Sequence, residues 1–131
     1  MIQGKKVHID SYEFDSMAEA GRYQELKLML AQGRIKDLKV HPLWILIHEP
    51  KPLPEQVIRT VYKGKKITNK LTFEADFVYT ETDTGKEIVE DVKAKITKAN
   101  RKYVLKEAWL VRFKIWCDQY SDFSEFRIIQ R

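Results

Sequence analysis

The stretch that most constrains the fold of this chain is residues 73–93, which read FEADFVYTETDTGKEIVEDVK. Apolar and polar side chains alternate from Phe73 to Tyr79, with the period of two that is typical of a β-strand. Residues 82–85 have the composition of a tight turn, and alternation resumes at Ile88. The stretch therefore predicts a β-hairpin.

The same hairpin gathers charged side chains on one face. Its second strand places Asp91 and Lys93 side by side, with Val92 pointing to the other face. Asp76 on the first strand can reach the face of Asp91 and Lys93 if the strands pair. Two carboxylates and an ammonium group then converge, as in metal-dependent phosphodiesterase sites. The alternative is that both acids are ordinary solvated strand residues, which is the usual case for isolated carboxylates.

Length, charge and cysteine content set the class of protein. The 131 residues suffice for one domain, which we expect to span residues 1–131. The net charge of +5 favours a polyanionic partner. The single cysteine, Cys117, excludes an internal disulfide, and the longest strongly apolar run, Leu43–Ile47, is far shorter than a membrane span. The first residues carry no secretory signal, so we expect a cytoplasmic protein.

A helix is predicted from Ser16 to about Gln32, because Ser16 begins an S-x-x-E capping box and Gly33 suits the position after the last turn. The box gives Glu19 a structural role as a cap. On a helical wheel, however, Glu19 lies within about 60° of the apolar stripe. That stripe consists of Tyr23, Leu26 and Leu30. A carboxylate there is costly unless it is paired or binds a cation, so the downstream acids favour Glu19 as a metal ligand over a pure cap.

The remaining segments alternate between extended and helical patterns. A short hairpin is predicted over residues 5–14. Further extended segments are predicted at residues 35–40, 42–47, 57–62 and 125–130. Three prolines indicate a loop at 49–54. Basic connections are predicted at residues 63–66 and 94–98, followed by a long helix over residues 99–119.

The long helix has two distinct faces. Its apolar stripe consists of Val104, Ala108, Val111 and Ile115. On the opposite side, lysines of the helix and the preceding linker can follow a DNA backbone, although a merely solvated basic face is an equally good explanation. These lysines are Lys95, Lys98, Lys102 and Lys106. Three large rings continue that side and lead us to predict a homodimer contact. They are Trp109, Phe113 and Trp116.

The tripeptide (D/E)-x-K is uninformative alone, since it occurs four times in this charged chain. Only the match at 91–93 follows both a strand with an inward acid and a helix with another. The three histidines, His8, His41 and His48, are scattered without a metal-binding motif, so we do not expect a zinc site. No glycine-rich loop precedes a helix, which argues against a nucleotide cradle.

Taken in order, these motifs resemble the PD-(D/E)XK nuclease superfamily, in which a helix Glu precedes an acid and a (D/E)-x-K on paired strands. More closely, the chain resembles a small phage and prophage endonuclease family that is Holliday-junction-resolvase-like. The residues that carry the likeness are Phe14, Asp15, Ser16, Glu19, Ala20, Arg22, Tyr23, Glu25, Leu26, Ala75, Asp76, Phe77, Tyr79, the run 89–93, Thr97, Tyr103 and Lys106. Ala75 replaces the superfamily's widely dispensable proline.

The resemblance implies an α/β fold with a restriction-endonuclease-like core, in which α-helices flank a central mixed β-sheet. It implies that one or two Mg²⁺, with Mn²⁺ as a substitute, bind a set of oxygens. Those oxygens belong to Glu19, Asp76, Asp91 and the backbone carbonyl of Val92. Lys93 would orient the attacking water or stabilise the transition state, Lys106 would contact the phosphate and Tyr103 would line the same DNA-binding cleft.

The function implied is a Mg²⁺-dependent DNA endonuclease that acts on branched DNA, such as a Holliday junction or flap, in phage recombination or replication. No separate base-reading module is visible, so shape and phosphate contacts should dominate recognition. Two alternatives stay open. One is a DNA-binding or packaging accessory without turnover, and the other is a duplex endonuclease without branch preference.

Overall fold

The computed structural model describes residues 6–48, 51–61, 63 and 70–131. The strands found there are β1 (Val7–Ile9), β2 (Tyr12–Phe14), β3 (Ile35–Val40), β4 (Leu43–Ile47), β5 (Leu71–Glu74), β6 (Phe77–Glu81), β7 (Glu87–Lys93) and β8 (Ser124–Gln130). The helices are α1 (Met17–Ala31), α2 (Glu55–Val61), α3 (Arg101–Val104) and α4 (Glu107–Tyr120). The chain is therefore a mixed α/β protein, as the sequence predicted.

The two short N-terminal elements follow their local sequence signals. β1 and β2 pair antiparallel across Asp10 and Ser11, which both have positive φ, at 51° and 71°. Two consecutive residues in that region are typical of the tight turns that match strand twist. The predicted short hairpin is confirmed for its described residues.

Helix α1 begins and ends where its caps predict. The Ser16 hydroxyl accepts a hydrogen bond from the Glu19 backbone N–H at 3.1 Å. Gly33 follows the helix with a φ of 74°, a conformation that costs glycine no steric penalty. The helix places Glu19 and Tyr23 among its buried residues.

The largest sheet has four strands in the order β3-β6-β7-β8. β6 pairs antiparallel with both β3 and β7, whereas β8 pairs parallel with β7. The sheet is thus mixed, and the predicted β6–β7 hairpin is confirmed, with Gly85 at a φ of 70° in its turn. The C-terminal strand predicted at residues 125–130 is confirmed as β8.

The two faces of this sheet carry separate cores. Phe77, Tyr79 and Ile88 point to one face and pack with the buried side of α1. Val78 and Val89 point to the other face, where they pack with Trp116 of α4 and with β4 and β5. Because side chains of β6 and β7 alternate between the two faces, α1 packs on one face of the sheet and α4 on the other.

The predicted first strand of the hairpin is broken in two. β5 ends at Glu74 and pairs with β4, while β6 begins at Phe77 and pairs with β3 and β7. As a result Phe73 and Ala75 lie in the core beside α4, whereas Phe77 lies in the core beside α1. The prediction that these apolar residues share one face is wrong. The break occurs because the chain changes pairing partners at Ala75 and Asp76.

Two further predictions of secondary structure are wrong. Residues 55–61 form helix α2 rather than a strand. The helix follows Pro54, whose carbonyl accepts a hydrogen bond from the Ile58 N–H at 3.1 Å. The long helix predicted over 99–119 is two helices, since Leu105 and Lys106 leave helical geometry between α3 and α4.

The predicted faces of α4 are only partly right, although one residue of the expected stripe, Ile115, does pack against the core. Trp116 is fully buried, and Trp109 and Phe113 pack against the same core, around Phe73. Val111, from the expected core stripe, is 51% exposed. The three rings therefore pack against this chain's own sheet, with Trp109 and Phe113 half-buried, and a homodimer contact through them stays a prediction. Rings of this size bury more apolar area than valine or alanine, so they occupy the core-facing side.

Some predictions concern residues outside this description. The basic turn at 63–66 lies there except for Lys63, as do residues 49–50 of the proline loop and Tyr62. Every helix among the described residues is too short or too polar to span a bilayer.

Candidate active site

Three neighbouring strands of the main sheet bring polar residues together at one end. His41 directly follows β3, Asp76 directly precedes β6, and Asp91 lies near the end of β7. The N–H of His41 donates to the carbonyl of Asp76 at 2.9 Å, and the N–H of Asp76 donates to the carbonyl of Glu90 at 3.1 Å. These backbone bonds align His41, Asp76 and Asp91 side by side across the sheet.

The Asp76 carboxyl group is held in surroundings that disfavour its charge. Its Oδ2 accepts a hydrogen bond from the backbone N–H of Val92 at 2.6 Å. Burial, the adjoining Asp91 and the charge of Glu19 nevertheless raise the pKa of Asp76 to about 9, because the amide only partly offsets them. In the absence of a cation, Asp76 therefore holds a proton at neutral pH.

Asp91 and Lys93 meet as predicted. Asp91 is 4% exposed, and its Oδ2 lies 2.9 Å from the Lys93 Nζ. That contact lacks the direction of a hydrogen bond, so Oδ2 is a buried acceptor without a hydrogen-bond partner. The Lys93 ammonium also lies 4.5 Å from the centre of the Trp109 ring. Lys93 is thus fixed between a carboxylate and an aromatic face.

Glu19 reaches this site from α1. It is only 5% exposed, and its Oε1 lies 2.7 Å from the Nε2 of His41. Its backbone N–H takes part in the cap, but its carboxylate points to His41, so the reciprocal bond of a capping box is absent between Ser16 and Glu19. Glu19, His41 and Asp76 each offer a ligand atom, and these atoms all lie within 4.8 Å of one another.

His41 is a site residue that the sequence analysis missed. The three histidines are scattered in the sequence, and no motif marks any of them. The only clue to His41 was its position directly after the strand at 35–40. That position lies beside Asp76 only if the strand pairs with β6. Strand order is not visible in one sequence, so the signal went unused.

A cleft of about 350 Å³ opens over these groups. It is lined by Lys6, Glu13, Asp15, His41, Glu74, Ala75, Asp76, Asp91, Lys93 and Trp109. Three predicted site residues, Asp76, Asp91 and Lys93, therefore line one cleft, while buried Glu19 contacts it through His41. Acidic groups outnumber basic ones in its walls. This charge balance suits a cation better than a bare anion.

The comparisons with known proteins give a family. A family model described as "Protein of unknown function (DUF1064)" matches residues 2–127. The chain belongs to the DUF1064 family. Comparison with the curated proteins and with the solved structures gives no match.

The predicted DNA-binding residues of this DUF1064 chain lie outside the walls of the cleft. They follow the end of β7, and all five are exposed. They are Lys95, Lys98, Lys102, Tyr103 and Lys106. Tyr103 is 76% exposed and does not line the cleft. The linker that carries Lys95 is ordered by Asn100, whose side-chain amide donates to the Lys95 carbonyl at 2.8 Å.

The donor set of the DUF1064 site fits a divalent cation. Glu19, Asp76 and Asp91 bring carboxylate oxygens to one end of the sheet, and the Asp91 Oδ2 is a buried acceptor that no hydrogen bond satisfies. Hard oxygen donors of this kind suit Mg²⁺ or Mn²⁺. The backbone N–H of Val92 donates to Asp76, and the predicted role of the Val92 carbonyl as a metal ligand stays a prediction.

Proposed function

We propose that the chain is a Mg²⁺-dependent DNA endonuclease of the PD-(D/E)XK type. The observation that carries the proposal is the meeting of Asp76, Asp91 and Lys93 in one cleft, with Glu19 directly behind it. Three carboxylates beside one lysine, on elements far apart in sequence, are costly to assemble without a cation to neutralise them. The raised pKa of Asp76 expresses that cost.

The arrangement of elements supports a restriction-endonuclease-like core. A helix bearing Glu19 precedes paired strands that bear Asp76 and then the run 91–93. The mixed sheet is covered by α1 on one face and α4 on the other. This is the order of helix, acid and (D/E)-x-K that the superfamily resemblance describes. The proposal therefore takes its fold and its chemistry from the same residues.

Each side chain has a defined task in phosphodiester hydrolysis. A bound Mg²⁺ would lower the pKa of a water molecule and neutralise charge on the scissile phosphate. The Val92 amide holds the Asp76 carboxylate in place, and the backbone of β7 positions the carboxylate of Asp91. Lys93, fixed by Trp109, presents its ammonium to the charge that develops on the phosphate.

The substrate we propose is branched DNA, such as a four-way junction or a flap. The net charge of +5 and the exposed lysines beyond β7 favour contact with phosphates over contact with base edges. The acidic walls of the cleft make a bound cation necessary for a phosphate to enter it. The protein would then recognise DNA by its phosphate backbone and shape, and we propose that it acts in phage recombination or replication.

The test is cleavage by the purified full chain. Four-way junctions, flaps, linear duplexes and single strands are incubated with Mg²⁺ or Mn²⁺, with Asp91→Asn and Lys93→Met as site variants. Asp118→Asn is the matched control, because Asp118 is an exposed acid on α4. We expect cleavage of branched DNA by the unmodified chain and the control, and a loss of at least about a hundredfold in both site variants.

Other outcomes of the same experiment would favour the two alternative functions. Equal rates on branched and linear DNA would favour a duplex endonuclease without branch preference. DNA binding without cleavage of any substrate, with either ion, would overturn the nuclease and favour a DNA-binding or packaging accessory.

A further inference from the structure

We infer that His41 is a metal ligand, and that with Glu19 and Asp76 it forms a mixed nitrogen and oxygen site that binds Mn²⁺ more tightly than Mg²⁺. The inference deepens the proposed function, on which it rests in taking the cleft as a cation site. It names the preferred ion of that site and one ligand that the resemblance to nucleases did not supply.

The geometry of the three groups matches a shared ion. Their ligand atoms lie within 4.8 Å of one another, and the Nε2 of His41 is 2.7 Å from the Oε1 of Glu19. Two ligands at right angles around an ion with bonds of about 2.1 Å are about 3 Å apart. A cation can therefore lie between the His41 Nε2 and the Glu19 Oε1 in place of their hydrogen bond, with little movement of either side chain.

A second observation points to a cation at the same place. Asp91 adjoins Asp76 and is 4% exposed, yet its Oδ2 has no hydrogen-bond partner. A buried carboxylate oxygen without a hydrogen-bond partner is uncommon in native proteins, and an ion pair without a directed bond offsets only part of its desolvation. Lys93 contributes charge at 2.9 Å but not a directed bond. A positive ion in the cleft would satisfy this oxygen.

The chemistry of the donors selects the ion. Mg²⁺ dehydrates reluctantly and prefers oxygen ligands throughout, whereas imidazole nitrogen suits divalent transition ions. Mn²⁺ accepts both, since it also suits carboxylate and water ligands. Among the transition ions it is the weakest binder in the general affinity order, so it is the most demanding probe of the inference.

The competing explanation gives His41 a purely structural task. Its ring would hydrogen-bond to Glu19 and hold that carboxylate in place, while only oxygens touch the ion. Loss of the ring would then weaken Mg²⁺ and Mn²⁺ equally. A metal-bound nitrogen would instead weaken Mn²⁺ more than Mg²⁺.

The experiment is pulsed electron paramagnetic resonance of Mn²⁺ bound to the full chain, together with calorimetric titration of Mn²⁺ and Mg²⁺. His41→Asn is the variant, because the φ of 54° at position 41 is one that asparagine tolerates. His48→Asn is the matched control, since His48 is exposed just after β4 and does not line the cleft. We expect ¹⁴N modulation in the unmodified chain and the control and none in the variant. We also expect a loss of Mn²⁺ affinity of at least about tenfold in the variant, with less than about twofold for Mg²⁺.

Absence of nitrogen modulation in the unmodified chain, or equal losses for the two ions, overturns the inference. If His41→Asn does not fold, ¹⁵N-histidine labelling of the unmodified chain replaces it, and a ¹⁴N modulation that persists after labelling has the same overturning effect. Failure of the nuclease proposal gives a different result. If the protein binds Mn²⁺ through nitrogen but cuts no DNA, the metal site is upheld and the nuclease proposal is overturned. If it cuts DNA but shows no nitrogen coupling, the nuclease proposal is upheld and the His41 ligand is overturned.

Discussion

Arg22 donates hydrogen bonds to both carboxylate oxygens of Glu90, from Nε at 2.8 Å and from Nη2 at 2.6 Å. Glu90 is fully buried, and the hydroxyl of Tyr79 donates a third bond to it at 2.5 Å. Arg22 lies one turn after Glu19 on α1, and Glu90 directly precedes Asp91 on β7. This one ion pair therefore fixes the distance between two elements that carry site carboxylates.

The Arg22–Glu90 pair makes the first prediction. Arg22→Ala leaves a buried carboxylate without its charge partner, so we expect the free energy of unfolding to fall by about 3–5 kcal/mol. Urea denaturation followed by circular dichroism measures it. Glu25→Gln removes the half-exposed second partner of Arg22, which also pairs with Arg131, and should cost about 0–1 kcal/mol. Similar losses in the two variants would show that the buried pair does not hold α1 against β7.

The ring of Trp109 makes the second prediction, which concerns activity. Its contact with the Lys93 ammonium contributes about 0.5–2 kcal/mol in comparable pairs. If that energy positions Lys93 for the transition state, Trp109→Leu lowers kcat about two- to thirtyfold, and Trp109→Phe restores part of it. KM for DNA should change little in either variant. A rise in KM with an unchanged kcat would mean that the ring contacts DNA instead.

The Asp76 carboxyl group makes the third prediction, on stability without metal. Because its pKa is raised to about 9 in the folded chain and is about 4 when unfolded, the folded state holds an extra proton between these values. The free energy of unfolding should therefore fall as pH rises from about 4 to about 9, and this loss should be absent in Asp76→Asn. Thermal unfolding in a chelator at pH 5, 7 and 9 checks it. Parallel Tm profiles for the two proteins would contradict it.

Divalent ions should reverse that loss. An ion at the site takes the place of the proton on Asp76, so its apparent affinity should rise with pH up to about 9. At a fixed Mg²⁺ concentration, we expect the increase in Tm over the chelated protein to be larger at pH 8 than at pH 6. Asp76→Asn should show little increase at either pH. An ion-induced shift that is independent of pH would place the cation elsewhere.

The sequence was sufficient for the parts of the site that depend on local patterns. Period-two alternation placed Asp91 and Lys93 on one face of β7, and a helix cap placed α1 so that Glu19 turns inward. Features that depend on strand order were not available from it. His41 joins the site only because β3 pairs with β6, and the strand break before Asp76 exists only because β5 pairs with β4.

The core-facing side of α4 shows a different limit and leads to the last prediction. Two amphipathic faces were visible in the sequence, but periodicity alone did not say which one the sheet would cover. Trp116 is fully buried, with its ring 5.7 Å from that of Trp44 and 5.5 Å from that of Phe126. Trp116→Ala should therefore lower the free energy of unfolding by about 3–5 kcal/mol.

The matched control for this prediction is Val111→Ala on the same helix. Val111 is 51% exposed, so its truncation should change the free energy of unfolding by no more than about 0.5 kcal/mol. A dimer contact through the rings would give another pattern. At low protein concentration, where the unmodified chain would already be monomeric, Trp116→Ala and the unmodified chain would then have the same free energy of unfolding. Denaturation at two protein concentrations separates the cases, because burial within one chain is independent of concentration and an interface is not.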